Sequence, residues 1–329
     1  MTVKDSVLTI LEQNRGKSCS GEEIAEKLCV TRAAVWKAVK SLISDGYDID
    51  SCRSKGYTLS EKSDILTEQS IRAHLPEKYK NIKITALDTV DSTNTYAKSL
   101  ISAGETQTVL IAAAEQTGGR GRRGKSFFSP KGKGIYFSVI LHPKMTLSAT
   151  MLLTVAAAVA VSRVVDRISG NTAEIKWVND VFCGGKKICG ILSEAVCDME
   201  SGTIESIVVG IGVNLSSRTE DFPEEIRAVA GSVFPHDITR SQIVGEITSE
   251  LLTLSENLSD PQLISEYKKR LFILGQEIEY MKNGVKKRGM AEDVNSDGNL
   301  IVSCADGRDV LSSGEVSLNS AAFAGRRHE

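Results

Sequence analysis

The run QTGGRGRRGKSFFSP, residues 116–130, restricts the fold of this chain more than any other stretch. Gly119, Gly121 and Gly124 spell a G-x-G-x-x-G, and three arginines lie among them. Three architectures compete: a dinucleotide-binding turn, a disordered basic arm for nucleic acid, and an ordered loop that closes over an anion. A dinucleotide turn needs its third glycine in an opening helix, with an acid roughly 20 residues further on. Here Gly124 leads to Phe127, Phe128 and Pro130 and then to the strand-like GIYFSVIL (134–141), while TVLIAAAEQ (108–116) runs in from the other side. Strand, loop, strand leaves no helix N-terminus for a pyrophosphate. The same flanks argue against a disordered arm. In an ordered loop, glycines let backbone approach a ligand, and Arg120, Arg122 and Arg123 present planar forks to phosphate or carboxylate. The expected guest is a small, highly anionic molecule such as a nucleoside triphosphate.

Around the loop, strands and helices mix. IKITALDTV (82–90), EIKWV (174–178), KKICGILSEAV (186–196) and IESIVVGIGVNL (204–215) read as strands, and STNTYAKSLISAG (92–104) and LSATMLLTVAAAVAVSRVVDRIS (147–169) as helices. A mostly antiparallel sheet with fewer helices predicts an α+β domain. Two segments carry chemistry that suits the loop. KWVND puts Asn179 and Asp180 at a strand end, where a carboxylate can hold Mg²⁺ beside a polyphosphate. GGKKICGILSE brings Lys186 and Lys187 through a glycine turn onto a strand, where one ammonium can bridge a carboxylate and a phosphate. Alone, Asn-Asp reads as a hairpin turn and Gly-Gly-Lys-Lys as a solvated turn; together they point to one site.

Ahead of this domain, SGEEIAEKLCV offers Ser20 and Glu23 as a capping box, and Thr31 caps a helix beginning at Arg32. A period of 3.6 places Arg32, Trp36 and Lys40 in one outward row, with Lys37 beside it. YDIDSCRSKGYTL then reads as a hairpin with a basic tip, Arg53 and Lys55. Helix, turn, basic helix and basic wing predict a winged-helix DNA reader; the alternative is an amphipathic bundle with a solvated charged face. The net charge of the 329 residues, only −2, argues against wholesale polyanion binding, so any contact with nucleic acid must come from a locally basic surface.

Length and pattern predict three units: 1–62 as the DNA-binding domain, 63–274 as the catalytic domain, and 275–329 as a small SH3-like β-barrel with Asn-Gly and Asp-Gly turns at 283, 297 and 306. Seven cysteines without a C-x-x-C pair, and four histidines, suit neither a disulfide framework nor a zinc site. The N-terminus lacks signal-peptide features, and MLLTVAAAVAVSRVV (151–165) is interrupted by Ser162 and Arg163, so a cytoplasmic chain with a buried helix is expected.

STN (92–94), EQTGGRGRRGKSF (115–127), KWVND (176–180), KKICGILSE (186–194) and GIGVNL (210–215) follow in the order and spacing of the biotin–protein ligases. With the winged helix ahead of them, the whole chain resembles the bacterial bifunctional biotin ligases that also repress the biotin operon. The resemblance implies a class II synthetase-like biotin/lipoate ligase fold and a two-step reaction: biotin and MgATP give biotinyl-5′-AMP, and a lysine of a biotin carboxyl carrier domain then takes the biotin. It implies biotin contacts from Ser92, Thr93, Asn94, Gln116, Gly119, Arg120, Lys187 and Gly190, and adenylate contacts from Arg122, Arg123, Lys125, Phe127, Lys176, Asn179 and Asn214. Lys187, Arg120, Arg122 and Asp180 would be catalytic, with Asp180 serving Mg²⁺. Operator DNA and a homodimer formed with biotinyl-5′-AMP are the implied partners, and no tightly bound prosthetic group is expected. The Arg-rich loop argues against a lipoate ligase on the same fold, and the intact Arg120, Arg122, Asp180 and Lys187 set argues against a sensor without catalysis. Three positions depart from the family: Phe127 for tryptophan, Val178 for proline, and Asn319 for a basic residue.

Overall fold

The computed structural model describes residues 2–52, 56–142, 148–197 and 204–318. At the N-terminus, capping sets the helix starts. Thr2 with Asp5 opens α1 (Val3–Gln13), Ser20 with Glu23 opens α2 (Gly21–Leu28), and Thr31 accepts from Ala34 N to open α3 (Arg32–Ser44). Their apolar stripes, including Val7, Leu11, Ile24, Val35 and Leu42, meet in a core of their own. Antiparallel β1 (Ile49–Cys52) and β2 (Gly56–Leu59) form the wing; its expected tip, Arg53 and Lys55, lies outside the described residues.

This head is docked through α4 (Glu68–Ala73), which packs against α1. Buried Glu12 accepts from Ser70 Oγ at 2.5 Å and from Arg15, so the charge that enters the interface is paired. Arg240 reaches Asp64 at 2.8 Å on the other side of the junction.

The main sheet takes β3 (Lys83–Val90), β4 (Val109–Gln116), β5 (Gly134–Leu141), β6 (Glu174–Lys176), β7 (Asp180–Cys183), β8 (Lys186–Cys197) and β9 (Ile204–Asn214), in the order β3-β4-β5-β9-β8-β7-β6. β3 and β4 are parallel, joined by the crossover helix α5 (Thr93–Ser102), and the other pairs are antiparallel. α6 (Ser148–Ser169) is the Ala/Val run; Val155, Val159, Val161 and Val164 are fully buried, each contributing about 1.5–3 kcal/mol by burial. It is sandwiched between the sheet and the helices α8 (Arg240–Ser255) and α9 (Pro261–Arg270), after the short α7 (Glu224–Arg227). No helix among the described residues is long and apolar enough to cross a membrane.

The C-terminal strands β10 (Glu277–Lys282), β11 (Val285–Val294), β12 (Leu300–Cys304), β13 (Gly307–Leu311) and β14 (Val316–Leu318) form one antiparallel sheet, ordered β13-β12-β11-β10-β14. Asn283 and Gly284 both have positive φ, 51° and 78°, as a two-residue hairpin turn matched to strand twist requires. Ile278, Tyr280 and Val302 join the core of the main sheet, and Trp177 Nε1 donates to Gly298 O at 3.0 Å, so the small sheet is seated on the large one.

Candidate active site

The Gly/Arg run leaves β4 as a small hairpin of its own. Phe127 N donates to Gly119 O at 2.9 Å and Gly121 N to Lys125 O at 2.7 Å. Arg123 and Gly124 turn the tip with φ of 55° and 75°, a conformation that costs a non-glycine residue roughly 1–2 kcal/mol. Beneath this hairpin lies a cavity of about 360 Å³. It brings together Ser92, Thr93, Asn94, Gln116, Arg120, Arg122, Arg123, Lys125, Phe127, Lys176, Asn179, Asp180, Lys187, Gly190 and Asn214. Gly119 is buried at the root of the hairpin, behind the lining.

One part of the lining is neutral. Ser92 stands at the N-cap of α5, but its side chain makes no cap hydrogen bond. Instead Gln116 Oε1, from the neighbouring strand, accepts from Thr93 N at 2.9 Å and lies 3.2 Å from Thr93 Oγ1, while Gln116 Nε2 donates to Ser129 Oγ at 3.0 Å. Asn94 is engaged at both ends of its amide, by Leu192 O and Glu194 on one side and by Ser138 on the other. The floor is glycine: Gly190 and Gly212 face each other across β8 and β9, and the Phe127 ring lies on them. A Cβ at Gly212 would sit 2.4 Å from that ring, so only glycine leaves it room.

The other part is charged. Six cations, from Arg120, Arg122, Arg123, Lys125, Lys176 and Lys187, face two carboxylates, Asp180 and Glu315. Lys187 Nζ pairs with Asp180 at 2.6 Å, and Arg122 donates to Asn179 Oδ1 at 3.2 Å; Asn179 is itself fixed by donating to Ile191 O at 2.8 Å. Burial lowers the pKa of the Lys176 ammonium, against the pull of Asp180 and Glu315, and burial lowers that of the Arg122 guanidinium too. Glu315 is held below the usual carboxylate range, chiefly by its 2.5 Å hydrogen bond from Lys125. Cations carrying a desolvation cost are poised to gain most from an anionic guest. No group of three or more metal-ligating side chains occurs among the described residues. The single carboxylate Asp180 would suit Mg²⁺ only together with phosphate oxygens and water, since that ion commonly takes one or two carboxylates and draws the rest from phosphates and water.

Some of the lining escaped the sequence. Residues 219–231 cover the cavity with Phe222, Ile226, Val229 and Ala230 and pair their backbone with Lys187, yet this segment holds only a short 3-10 turn and α7, too brief for periodicity. Gly314, Glu315 and Val316 arrive from the C-terminal sheet; Asn319, three residues beyond, lies outside the described residues. Far from the cavity, Arg32, Trp36, Lys37 and Lys40 are exposed on α3 as the period required, Arg32 beside Glu22 at 3.2 Å and Lys40 5.2 Å from the Trp36 ring centre.

Residues 86–214 match the biotin/lipoate A/B protein ligase family, residues 4–58 a helix-turn-helix domain, and residues 273–319 the biotin protein ligase C-terminal domain. The bifunctional ligase/repressor BirA of Bacillus spizizenii is 33% identical over 259 residues, 79% of each chain. That of Salmonella typhimurium is 26% identical over 326 residues, covering 97% of this chain and 98% of its own. Among solved structures, the biotin protein ligase of Aquifex aeolicus in complex with biotin and ATP aligns with a TM-score of 0.59 at 27% identity, over 72% of this chain and 98% of that one.

Proposed function

This chain belongs to the BirA family of bifunctional ligase/repressors, and on that premise we propose that it is a cytoplasmic biotin–protein ligase that also represses transcription. It activates biotin with ATP to biotinyl-5′-AMP and pyrophosphate, and passes the biotin to a lysine of a carrier protein. The observation that carries this reading is one cavity with two kinds of lining, a neutral hydrogen-bonding set around Gln116 and a cationic set around Lys187. A neutral bicyclic urea suits the first, and a carboxylate meeting a triphosphate suits the second.

In the first step a carboxylate oxygen attacks the α-phosphorus and pyrophosphate leaves. Two anions must approach, so fixed cations offset their repulsion and the charge that grows on phosphorus. Lys187 lies between the two reacting groups, with Asp180 holding its ammonium until the substrates arrive. Arg120 and Arg122 order the hairpin and meet phosphate and carboxylate oxygens, Arg123, Lys125 and Lys176 bind the polyphosphate, and Asn179 aims Arg122. Asn214 faces the adenine. Asp180 with the phosphates would hold Mg²⁺, which supplies charge neutralisation on the polyphosphate. Ser92, Thr93 and Gln116 take the urea, with Gly119 shaping the hairpin root behind them, and Phe127 over Gly190 and Gly212 keeps water from the mixed anhydride, which would otherwise hydrolyse before the carrier amine attacks.

The head at 1–62 reads operator DNA through Arg32, Trp36, Lys37 and Lys40, with the wing residues Arg53 and Lys55, and a homodimer carrying biotinyl-5′-AMP places two heads on a two-fold site. The catalytic unit is 63–274, and 275–329 completes its nucleotide side. The deciding experiment is biotin-dependent ATP–pyrophosphate exchange by the purified chain, followed by ATP-dependent transfer of labelled biotin to a carrier domain. Folded protein that fails both is not a biotin ligase. Operator binding indifferent to biotin plus ATP would remove the corepressor role alone.

A further inference from the structure

Ser138 sits in the apolar strand β5, fully buried and behind the cavity lining. It interrupts an otherwise apolar run, GIYFSVIL, and a buried hydroxyl there needs a reason. Its Oγ lies 2.6 Å from Asn94 Oδ1 and 2.7 Å from Thr93 Oγ1. One hydroxyl proton cannot serve both. Asn94 settles the choice: its Nδ2 donates to Leu192 O at 3.1 Å and to Glu194 at 2.8 Å, which fixes the amide with Oδ1 turned to Ser138. A carbonyl oxygen only accepts, so Ser138 donates to Asn94, and Thr93 donates its proton to Ser138. Gln116 Oε1 then accepts from Thr93 N at 2.9 Å, with Thr93 Oγ1 3.2 Å away.

The neighbouring strand is shaped for the same contact. Gly210 faces Ser138 across β5 and β9, and a Cβ on Gly210 would fall 2.1 Å from Asn94 Oδ1. The glycine makes the space and the serine supplies the bond. We infer that Ser138 is a positioning residue for the neutral part of the site: through Asn94 and Thr93 it holds the first turn of α5 on the sheet, so that Ser92, Thr93 and Gln116 present a fixed set of donors and acceptors to a urea-like ligand. This rests on the proposed biotin ligase reading. A ligand bound through several such groups loses affinity when their spacing loosens, whereas the charged set around Lys187 shares none of these bonds.

The test is the exchange assay with Ser138→Ala, with wild type alongside. The expected result is a KM for biotin raised about tenfold or more, with KM for ATP and kcat within about twofold of wild type, since deletion of a hydrogen bond of ordinary strength corresponds to roughly that factor. Ser138→Thr, which returns the hydroxyl, recovers most of the loss. A purely structural serine would lower the active fraction, and so kcat, while leaving KM for biotin in place; that result, or parallel rises in both KM values, overturns the assignment. Should Ser138→Ala fail to fold, Ser138→Cys carries the same test, because a thiol is a weak donor in a similar volume. Wild type without biotin-dependent exchange would instead overturn the ligase reading beneath it.

Discussion

The cations of α3 and those of the cavity are the same residue types in opposite surroundings. On α3, Arg32, Lys37 and Lys40 stand in solvent, with Glu22 and the Trp36 ring as neighbours. In the cavity, Arg122 and Lys176 are partly buried enough for desolvation to lower their pKa, and Lys187 is held at 2.6 Å by Asp180. Exposed charges attract a polyanion reversibly and are screened by salt. Desolvated ones act at short range, where water and counterions are excluded, and can stabilise a transition state. Surroundings, more than residue type, divide a surface suited to reading DNA from one suited to joining two anions.

The largest effect should come from the cavity side. Lys187→Ala is expected to lower biotin-dependent exchange about 10²–10³-fold, as removal of one preorganised donor to a developing charge does in other enzymes. The fold should survive, because the side chain is one-third exposed and its partner Asp180 can be solvated. Exchange within tenfold of wild type would put Lys187 outside the reacting groups. Operator binding by the same variant, measured at saturating preformed biotinyl-5′-AMP so that a weaker hold on the adenylate does not count, should be unchanged, which separates the two sets of cations.

A smaller effect should come from α3. Replacing Lys37 and Lys40 together by alanine is expected to flatten the dependence of log operator affinity on log salt by about 1 per lysine that meets a phosphate, while exchange activity stays at the wild-type level. An unaltered slope would mean that the outward row of α3 does not face the DNA backbone, and would favour a bundle with a merely solvated face.

How far these regions were legible in the sequence follows from the same contrast. The head could be read almost whole, because caps, a 3.6 period and exposed cations are local features. The hairpin of 119–127 was legible as a loop, and the strand that follows it excluded the dinucleotide turn, but its tip geometry at Arg123 was not. What stayed hidden depends on distant partners. Ser138 reads as a polar interruption of a strand until α5 and β9 are placed beside it. Glu315 carries no local sign of belonging to the site until Lys125 meets it from 190 residues away. Gln116 capping α5 in place of Ser92 could not be foreseen either, since the nearer residue satisfies every local rule.

The mildest prediction concerns Lys176, where burial has the opposite sign for binding and for folding. Its ammonium is desolvated, so the pKa lies below 10.5 in the folded protein, and the proton leaves at a lower pH than in the unfolded chain. As pH rises through that window, the folded protein loses a cation from the lining proposed to bind the polyphosphate, so KM for ATP should climb before ordinary lysines titrate. Over the same window the cost of burying the charge is relieved, so this group's contribution to the stability of the unliganded protein should improve. The nucleotide's own phosphates are already ionised there and do not mimic the trend. Lys176→Met, which keeps the stem and removes the charge, should start from a raised KM for ATP and show no such climb. If wild type and Lys176→Met rise in parallel with pH, the titrating group is elsewhere, and desolvation of Lys176 is not what distinguishes this cavity from α3.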